Sequence, residues 1–492
     1  MIRIPTLRAS PSTFARRAST MIAGTLTSQV LLLAFTACFA RLYAPHVIGV
    51  QALFMAWAAG LCVFATMRLD LAVVLPKSSV EAAVMVRLVF IQSVLLCLFL
   101  TATVIVFGPS IERALGDDDA GWMWYVGPMC LCMAIVQCAV GMASREGKFT
   151  RVTLLNIAAT IAFGTIGLAL SPLGDQDALV FARFAAQVIA VIVAVWWGLT
   201  LFSSSSVELP RISWSQTKEV YRRYRQFIVF NTPYSLLSSL GQTIPIFLFA
   251  YIQSPTSAAY YALASTILVA PTTFISGAMS QVFYKEAVDH LGQPRLEVLA
   301  RRLLCTGLIV GLPIFAIISV WGDVLFSFAF GSRWNQAGQI AMVMAPAMWL
   351  CLQTGWIQRI FEAAGAQRLS FLISAVADTA MVVGMLVAVS VTSDIMPAIA
   401  VFAVIFGVHN LAYLAGAFRA AGFNPFPFYR DIAVACCGFG FIVACGVLVQ
   451  KADLPVLAGI AITCAIAAFI CGAMGFQMRK NLIRPESGAF DA

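Results

Sequence analysis

Apolar residues along this chain come in long continuous runs. They follow neither the strict alternation of a half-buried strand nor the three-to-four spacing of a surface helix. The runs recur from Met21 to Phe476. A helix rises about 1.5 Å per residue, so about 20 apolar residues cross a hydrocarbon layer. Fourteen stretches meet that length, at approximately 21–40, 47–66, 85–107, 122–141, 152–171, 178–202, 227–251, 258–282, 303–322, 338–357, 369–391, 396–418, 432–450 and 455–477. A transmembrane barrel would alternate instead. The pattern predicts an all-α polytopic membrane protein of about 14 transmembrane helices.

Composition agrees and narrows the classes. The 492 residues are 61% hydrophobic and 11% charged, against about 25% charged in soluble domains. The segments left between runs are too short for a soluble catalytic domain. The 13 cysteines mostly sit inside apolar runs (Cys97, Cys130, Cys132, Cys436, Cys437, Cys464), where they read as small hydrophobes. No CxxC pair points to zinc or redox chemistry, so neither a metal nor a cofactor is expected. The first run, Met21 to Ala40, exceeds the core of about 7–15 residues in a signal peptide. It reads as a retained first helix behind a basic cytoplasmic tail.

Charge then orients the helices. Of the 31 Lys and Arg, five fall on the predicted outer side: Arg41, Arg113, Arg183, Arg333 and Lys451. That asymmetry follows the positive-inside rule and puts both termini in the cytoplasm. Outer loops are short and acidic, as in Asp117-Asp118-Asp119, Asp175/Asp177 and Asp394. The net charge of +9 therefore reflects topology, and its spread over short segments argues against nucleic acid as a partner. The longest polar stretch, Ser203 to Gln226, carries Trp214…Lys218…Tyr221-Arg222-Arg223-Tyr224-Arg225. Aromatic rings with interleaved arginines suit a helix at the inner membrane surface.

That stretch also marks a boundary between halves. Arg41-Leu-Tyr-Ala-Pro45 with Ala52-Leu53 matches Tyr251-Ile-Gln-Ser-Pro255 with Ala262-Leu263. Ala120-Gly121…Pro128…Gly147…Arg151 matches Ala337-Gly338…Pro346…Gly365…Arg368. Two echoes in the same order suggest a duplicated six-helix unit in parallel orientation. The expected domains are an N-terminal lobe over 1–202, an interfacial linker over 203–226, a C-terminal lobe over 227–418, and two added helices with a cytoplasmic tail over 419–492.

Catalytic signatures are missing. Gly141-Met-Ala-Ser-Arg-Glu-Gly147-Lys148-Phe149 has the spacing of a phosphate loop plus one residue and lacks its Ser/Thr. No HExxH or GxSxG occurs, so the chain does not read as an enzyme. Information lies in charges near the apolar runs, each costing about 2.5–3.5 kcal/mol at mid-bilayer on insertion scales. Asp378 lies deep in the eleventh run, either as a proton or cation relay or as a carboxyl bonded to a neighbouring helix. Arg183 lines a cavity or snorkels outward. Arg41 ends the first run on the outer side, against the charge trend, which suits an anionic ligand or an ion pair. Arg68, Arg87 and Arg359 sit at inner helix ends, where anchoring at the interface is the plain reading. Polar residues mark the leading helix of each half: Thr25, Ser28 and Gln29, then Asn231, Ser238, Ser239 and Gln242. They serve a wet cleft or interhelical hydrogen bonds. Pro233, Pro245 and Pro271 free backbone carbonyls inside the spans.

Several blocks resemble one family. Tyr224-Arg225-Gln226-Phe227…Asn231-Thr-Pro233…Gln242…Pro245, then Pro255…Tyr260-Tyr261-Ala262-Leu263…Pro271…Gln281-Val282-Phe283-Tyr284, are similar to the bacterial polysaccharide exporters (Wzx-type O-antigen flippases). So are Ala40-Arg41-Leu42-Tyr43-Ala44-Pro45, Arg68-Leu69-Asp70-Leu71-Ala72-Val73-Val74-Leu75-Pro76 and Phe330-Gly331…Trp334…Ala337-Gly338. The resemblance implies a multidrug/oligosaccharidyl-lipid/polysaccharide exporter fold in the inner membrane. It also implies flipping of polyprenyl-diphosphate-linked oligosaccharide by alternating access, with the last two helices forming a groove for the lipid tail. Arg41, Arg68, Arg183, Arg359, Gln29, Asn231 and Gln242 become candidates for the diphosphate and sugar, and Asp378 for ion coupling. Expected partners are the lipid-linked oligosaccharide, membrane lipids, and the polysaccharide polymerase and chain-length proteins. Family members often place several arginines deep in the first two helices; here the nearest are Arg41 and Arg68 at helix ends. A drug exporter of the same fold is one alternative. A membrane-embedded polymerase or glycosyltransferase is another, though it would need a larger outer loop or an acidic pair.

The topology has a direct check. Single reporter cysteines at Asp118 and Asp394, in a cysteine-free background, should label from outside, and at Ser204 and Ser487 only from inside. Labelling of Asp118 and Ser204 from the same side would overturn it.

Overall fold

The computed structural model describes residues 11–74, 76, 78–115, 121–204, 214–392, 394–452 and 454–483. The Asp117–Asp119 run and Ser487 lie outside them. Every regular element described is a helix: α1 (Pro11–Leu42), α2 (Pro45–Thr66), α3 (Leu69–Ala72), α4 (Ser79–Leu115), α5 (Met123–Arg145), α6 (Phe149–Leu170), α7 (Ala178–Ser204), α8 (Trp214–Ile252), α9 (Pro255–His290), α10 (Pro294–Phe330), α11 (Asn335–Ala363), α12 (Gln367–Val391), α13 (Ile395–Ala421), α14 (Pro425–Gln450) and α15 (Val456–Ile483). Single 3₁₀ turns, Ser171–Leu173 and Ser332–Trp334, close two connections. Among the described residues twelve helices are long and apolar enough to cross a membrane; α1 and α8 add the shorter apolar stretches Leu26–Leu42 and Thr243–Ile252. The chain is an all-α multi-pass membrane protein.

The chain folds into two compact units, Met1–Thr256 and Ser257–Ala492. In the first unit α1 lies along α6 through small residues. A Cβ on Gly164 would collide with the Phe35 ring, and one on Gly167 with Phe39. Lipid supplies no hydrophobic drive for helix association, so this close approach is what holds the helices together. The Tyr43 hydroxyl, just past α1, donates to the Gly167 carbonyl. The α2 helix starts at Pro45, where a missing N–H costs nothing. Helix α8 runs antiparallel beside α2, with Gly49 against Pro255 and the Trp57 ring tilted against Phe247 at 4.9 Å between centroids. Residues 214–226 continue into the rest of α8 without a break.

One end of this unit is basic. It gathers Arg68, Arg145, Lys148, Arg151 and the start of α8, with Arg145 donating to the Val73 and Pro76 carbonyls and Arg223 paired to Glu81 at 2.6 Å. The opposite end holds Arg41 and Arg183.

In the second unit α10 and α11 form the centre. Gly338 meets the Gly322 carbonyl and the Asp323 backbone so closely that neither glycine has room for a Cβ. Trp334, Trp349 and Trp356 are buried there, and the Trp349 indole donates to the Leu308 carbonyl at 3.0 Å. Helix α14 is bolted to α10 at both ends, and α15 near its start. Gln450 donates to the Val320 carbonyl and Trp321 to Thr463. At the other end Arg301 grips Asp431 through Nε at 2.6 Å and a second nitrogen at 3.2 Å. The two echoed turns share one construction: Gly147 and Gly365 both adopt φ of 68°. In each, the next residue's N–H bonds a carbonyl five positions back, Lys148 to Ala143 and Ala366 to Phe361, as in a Schellman cap.

Removing one partner of a buried ion pair strands the other, at about 3–5 kcal/mol. Asp431→Asn or Arg301→Ala should lower the thermal unfolding midpoint in detergent, and replacing both by apolar residues of similar volume should recover most of it. Equal losses for single and double variants would contradict this.

Candidate functional site

The junction of α2 and α3 concentrates three anomalies. Met67 and Arg68 hold φ of 44° and 58°, the two non-glycine residues with positive φ among those described. That conformation costs about 1–2 kcal/mol for an L-residue, and such strain clusters where function requires it. It turns the chain sharply, and the Arg68 N–H is caught by the Thr66 hydroxyl at 3.2 Å. Two residues on, in the single turn of α3, Asp70 is 5% exposed. It has no ion pair among the described residues, and its Oδ1 is buried without a partner.

Arg68 and Gln92 complete the group. Arg68 Nε is buried without a partner, as is Gln92 Oε1. The Gln92 amide meanwhile reaches the Met67 sulfur at 3.4 Å. Around them lie Ala65, Leu69, Val89, Ala134 and Cys138. A buried donor or acceptor left unmade costs about 1–3 kcal/mol. One donor and two acceptors are therefore buried unsatisfied near this turn. A ligand offering both an acceptor and hydroxyl donors would meet all three.

Arg183 is the counterpart at the other end of the unit. It lies in the second turn of α7, its guanidinium 5.1 Å from the Phe163 ring centroid and its Nε buried without a partner. Phe39, Tyr43, Val47, Leu179 and Ala182 surround that level, so Arg183 sits beside the first turn of α2. Arg41 ends α1 close by and is exposed, favourably placed on a helix C-terminus. Arg68 follows the far end of α2, whose 22 residues span about 33 Å. One headgroup cannot touch Arg68 and Arg183 together.

The remaining candidates are scattered. Gln29 on α1 and Asn231 on α8 are half-buried; the side chain of Gln242 lies outside the described residues. Ser28 bonds back to the Gly24 carbonyl. In the second unit Arg359 is committed, to Glu362 at 2.8 Å and to Ser280 at 3.1 Å. Asp378 is half-buried on α12 and makes no hydrogen bond among the described residues. Ser374 and Ser370, successive turns away on α12, face His409 at 3.5 Å and Tyr413 at 2.9 Å across the seam with α13. No cluster of three His, Cys, Asp or Glu suited to a metal occurs among the described residues.

Sequence reasoning did not single out Asp70, Gln92 or the Arg301–Asp431 pair. Asp70 follows Arg68 by two residues and reads as an ordinary charged turn. The one available sign was the absence of glycine or asparagine where α2 has to reverse.

Comparison with known proteins bears on this arrangement. Residues 38–339 match the family model described as polysaccharide biosynthesis protein. A protein of Haloferax volcanii named as a "probable low-salt glycan biosynthesis flippase" is 22% identical over 277 residues, 55% of this chain; the match spans 54% of that relative, about half its length. Among solved structures, the lipid II flippase MurJ in an inward closed conformation superposes with a TM-score of 0.72 at 12% identity. That match covers 94% of this chain and 99% of MurJ. An outward-facing multidrug-resistance MATE transporter gives 0.56 at 15% identity, over 83% of this chain and 95% of its own. At these identities the structural matches establish the fold.

The strain at Arg68 can be separated from its charge. Arg68→Gly should unfold thermally at or above the wild-type midpoint because it relieves the left-handed backbone, whereas Arg68→Ala should unfold lower. The reverse order would show that the backbone there is unstrained.

Proposed function

The chain belongs to the polysaccharide biosynthesis protein family, and from that premise we propose that it flips a polyprenyl-diphosphate-linked oligosaccharide across the bacterial inner membrane by alternating access. The oligosaccharide serves a cell-surface polysaccharide: O-antigen, capsule or exopolysaccharide. Both termini face the cytoplasm, and polymerase and chain-length proteins take the product onward.

The unsatisfied trio at Arg68, Asp70 and Gln92 carries this reading. Phosphoryl oxygens accept hydrogen bonds and sugar hydroxyls donate them. Arg68 Nε–H supplies the donor for the first, and Asp70 Oδ1 and Gln92 Oε1 supply acceptors for the second. At the membrane's other surface Arg183 presents an unpartnered guanidinium edge for the same diphosphate. The length of α2, about 33 Å, approximates the hydrocarbon thickness of about 30 Å. A headgroup crossing the bilayer would leave one cation and meet the other. The sequence has no nucleotide-binding loop, so an ion gradient drives the step. Asp378, a carboxylate within α12 without a hydrogen bond among the described residues, is the coupling group.

Reconstituted vesicles carrying the lipid-linked oligosaccharide test these roles. Arg68→Ala and Arg183→Ala should each lower the initial rate about 10-fold or more, as expected for loss of a charged hydrogen bond of about 1.5–3 kcal/mol. The Lys variants should retain much of the rate, because an ammonium keeps both the charge and a donor for a phosphoryl oxygen. Wild-type rates in the double Ala variant would remove both residues from the path. Asp378→Asn should transport without responding to an imposed pH or sodium gradient; an unchanged response would end its coupling role.

A further inference from the structure

The start of α8 carries charged residues that do not belong to the Arg68 group. From Trp214 to about Val229 the helix lies against the basic end of the first unit. Thr217 and Val220 are buried there. Val220 packs with Ala72, Val73, Ala82 and Met85, with Tyr224 partly buried beside them. This contact fixes which way the remaining residues point.

Charges on the two flanks have different fates. On one flank Arg223 is clasped by Glu81 at 2.6 Å, and Gln216 and Glu219 line the same shallow cleft. On the other flank Lys218, Arg222 and Arg225 recur at positions i, i+4 and i+7. They therefore project as one row. All three are exposed and make no ion pair among the described residues. Tyr221, 46% exposed, stands beside the row. The exposed Val229 (59%) continues the face by one turn, marking where it passes from cations to apolar side chains.

Three unpaired cations, a tyrosine and then an apolar turn reproduce the profile of a membrane interface: anionic phosphate, then glycerol depth, then hydrocarbon. We propose that the Lys218–Arg222–Arg225 row binds the phosphates of anionic phospholipids in the adjoining leaflet and holds the basic end of the first unit at that surface. The occupant is the bulk anionic lipid. The row is exposed, whereas the unmatched atoms of the Arg68 group are buried. Phosphate contacts of this kind are worth about fivefold in local occupancy per cation, from about 1 kcal/mol each near an anionic surface. They weaken with salt.

The test uses the full chain in nanodiscs of equal phosphatidylglycerol and phosphatidylcholine, released and weighed by native mass spectrometry. Wild type should retain phosphatidylglycerol over phosphatidylcholine by about fivefold or more. The Lys218→Gln/Arg222→Gln/Arg225→Gln variant should lose that excess, while Arg222→Lys/Arg225→Lys keeps it. Hydrogen exchange of the 214–229 segment should slow in phosphatidylglycerol relative to phosphatidylcholine discs, and raised salt should reverse this. Equal retention of both lipids by wild type, or an undiminished excess in the glutamine variant with wild-type unfolding temperature, would overturn the proposal. So would protection of the segment by inorganic pyrophosphate in phosphatidylcholine discs without any phosphatidylglycerol preference, which would assign the row to a soluble phosphate. None of these readouts requires flipping, so the outcome is independent of the transport proposal.

Discussion

A polar group inside hydrocarbon has to find its partner within the protein, and that requirement governs this molecule at every level. It forces the backbone into helices, whose hydrogen bonds are internal. It confines most cations to helix ends, where they reach water. It leaves helix association to shape, which is why Gly164 and Gly167 receive Phe35 and Phe39 and why Gly322 and Gly338 touch backbone to backbone. Where a charge is buried, the pair is made well, as Arg301 and Asp431 show with two nitrogen–oxygen contacts.

Against that background the exceptions acquire meaning. Arg68 Nε, Asp70 Oδ1 and Gln92 Oε1 are buried and unmatched, next to the two left-handed non-glycine residues of the chain's described part. Strain and unmet hydrogen bonds in one place are costs that packing alone gives no reason to keep. Arg183 repeats the unmatched guanidinium at the opposite end of the same unit. A ligand that brings phosphate oxygens and hydroxyls would lower the energy of the first group, and a moving headgroup would meet the second later. The row on α8 differs in kind, being exposed.

How much of this was legible beforehand depends on the range of the signal. Continuous apolar runs gave the helical membrane class, because length and composition are local properties. The echo of Gly147 in Gly365 was legible too, and its cause is the shared left-handed cap. The blocks around Arg41, Arg68 and Asn231 pointed to the polysaccharide exporters, and the match over residues 38–339 places the chain in the polysaccharide biosynthesis family. The pairing of Arg301 with Asp431 was invisible, since 130 positions separate them and each alone looks like a charge at a helix start. Asp70 was passed over for a similar reason: nothing in Arg68-Leu69-Asp70 says that the turn buries the carboxylate. Arg359 drew notice as a cation at an inner helix end, but its partner Glu362 lay three residues away on the same helix face.

The central claim is that this chain moves a diphosphate-linked sugar lipid between leaflets. It is tested most directly with purified wild-type protein in sealed vesicles. A fluorescent polyprenyl-diphosphate oligosaccharide is placed in one leaflet, and its appearance in the other is followed with an impermeant quencher. The account predicts transfer well above protein-free vesicles for this lipid, and none above background for a phosphatidylcholine analogue with the same fluorophore. Transfer of the sugar lipid at the protein-free rate, or equal transfer of both lipids, would contradict it.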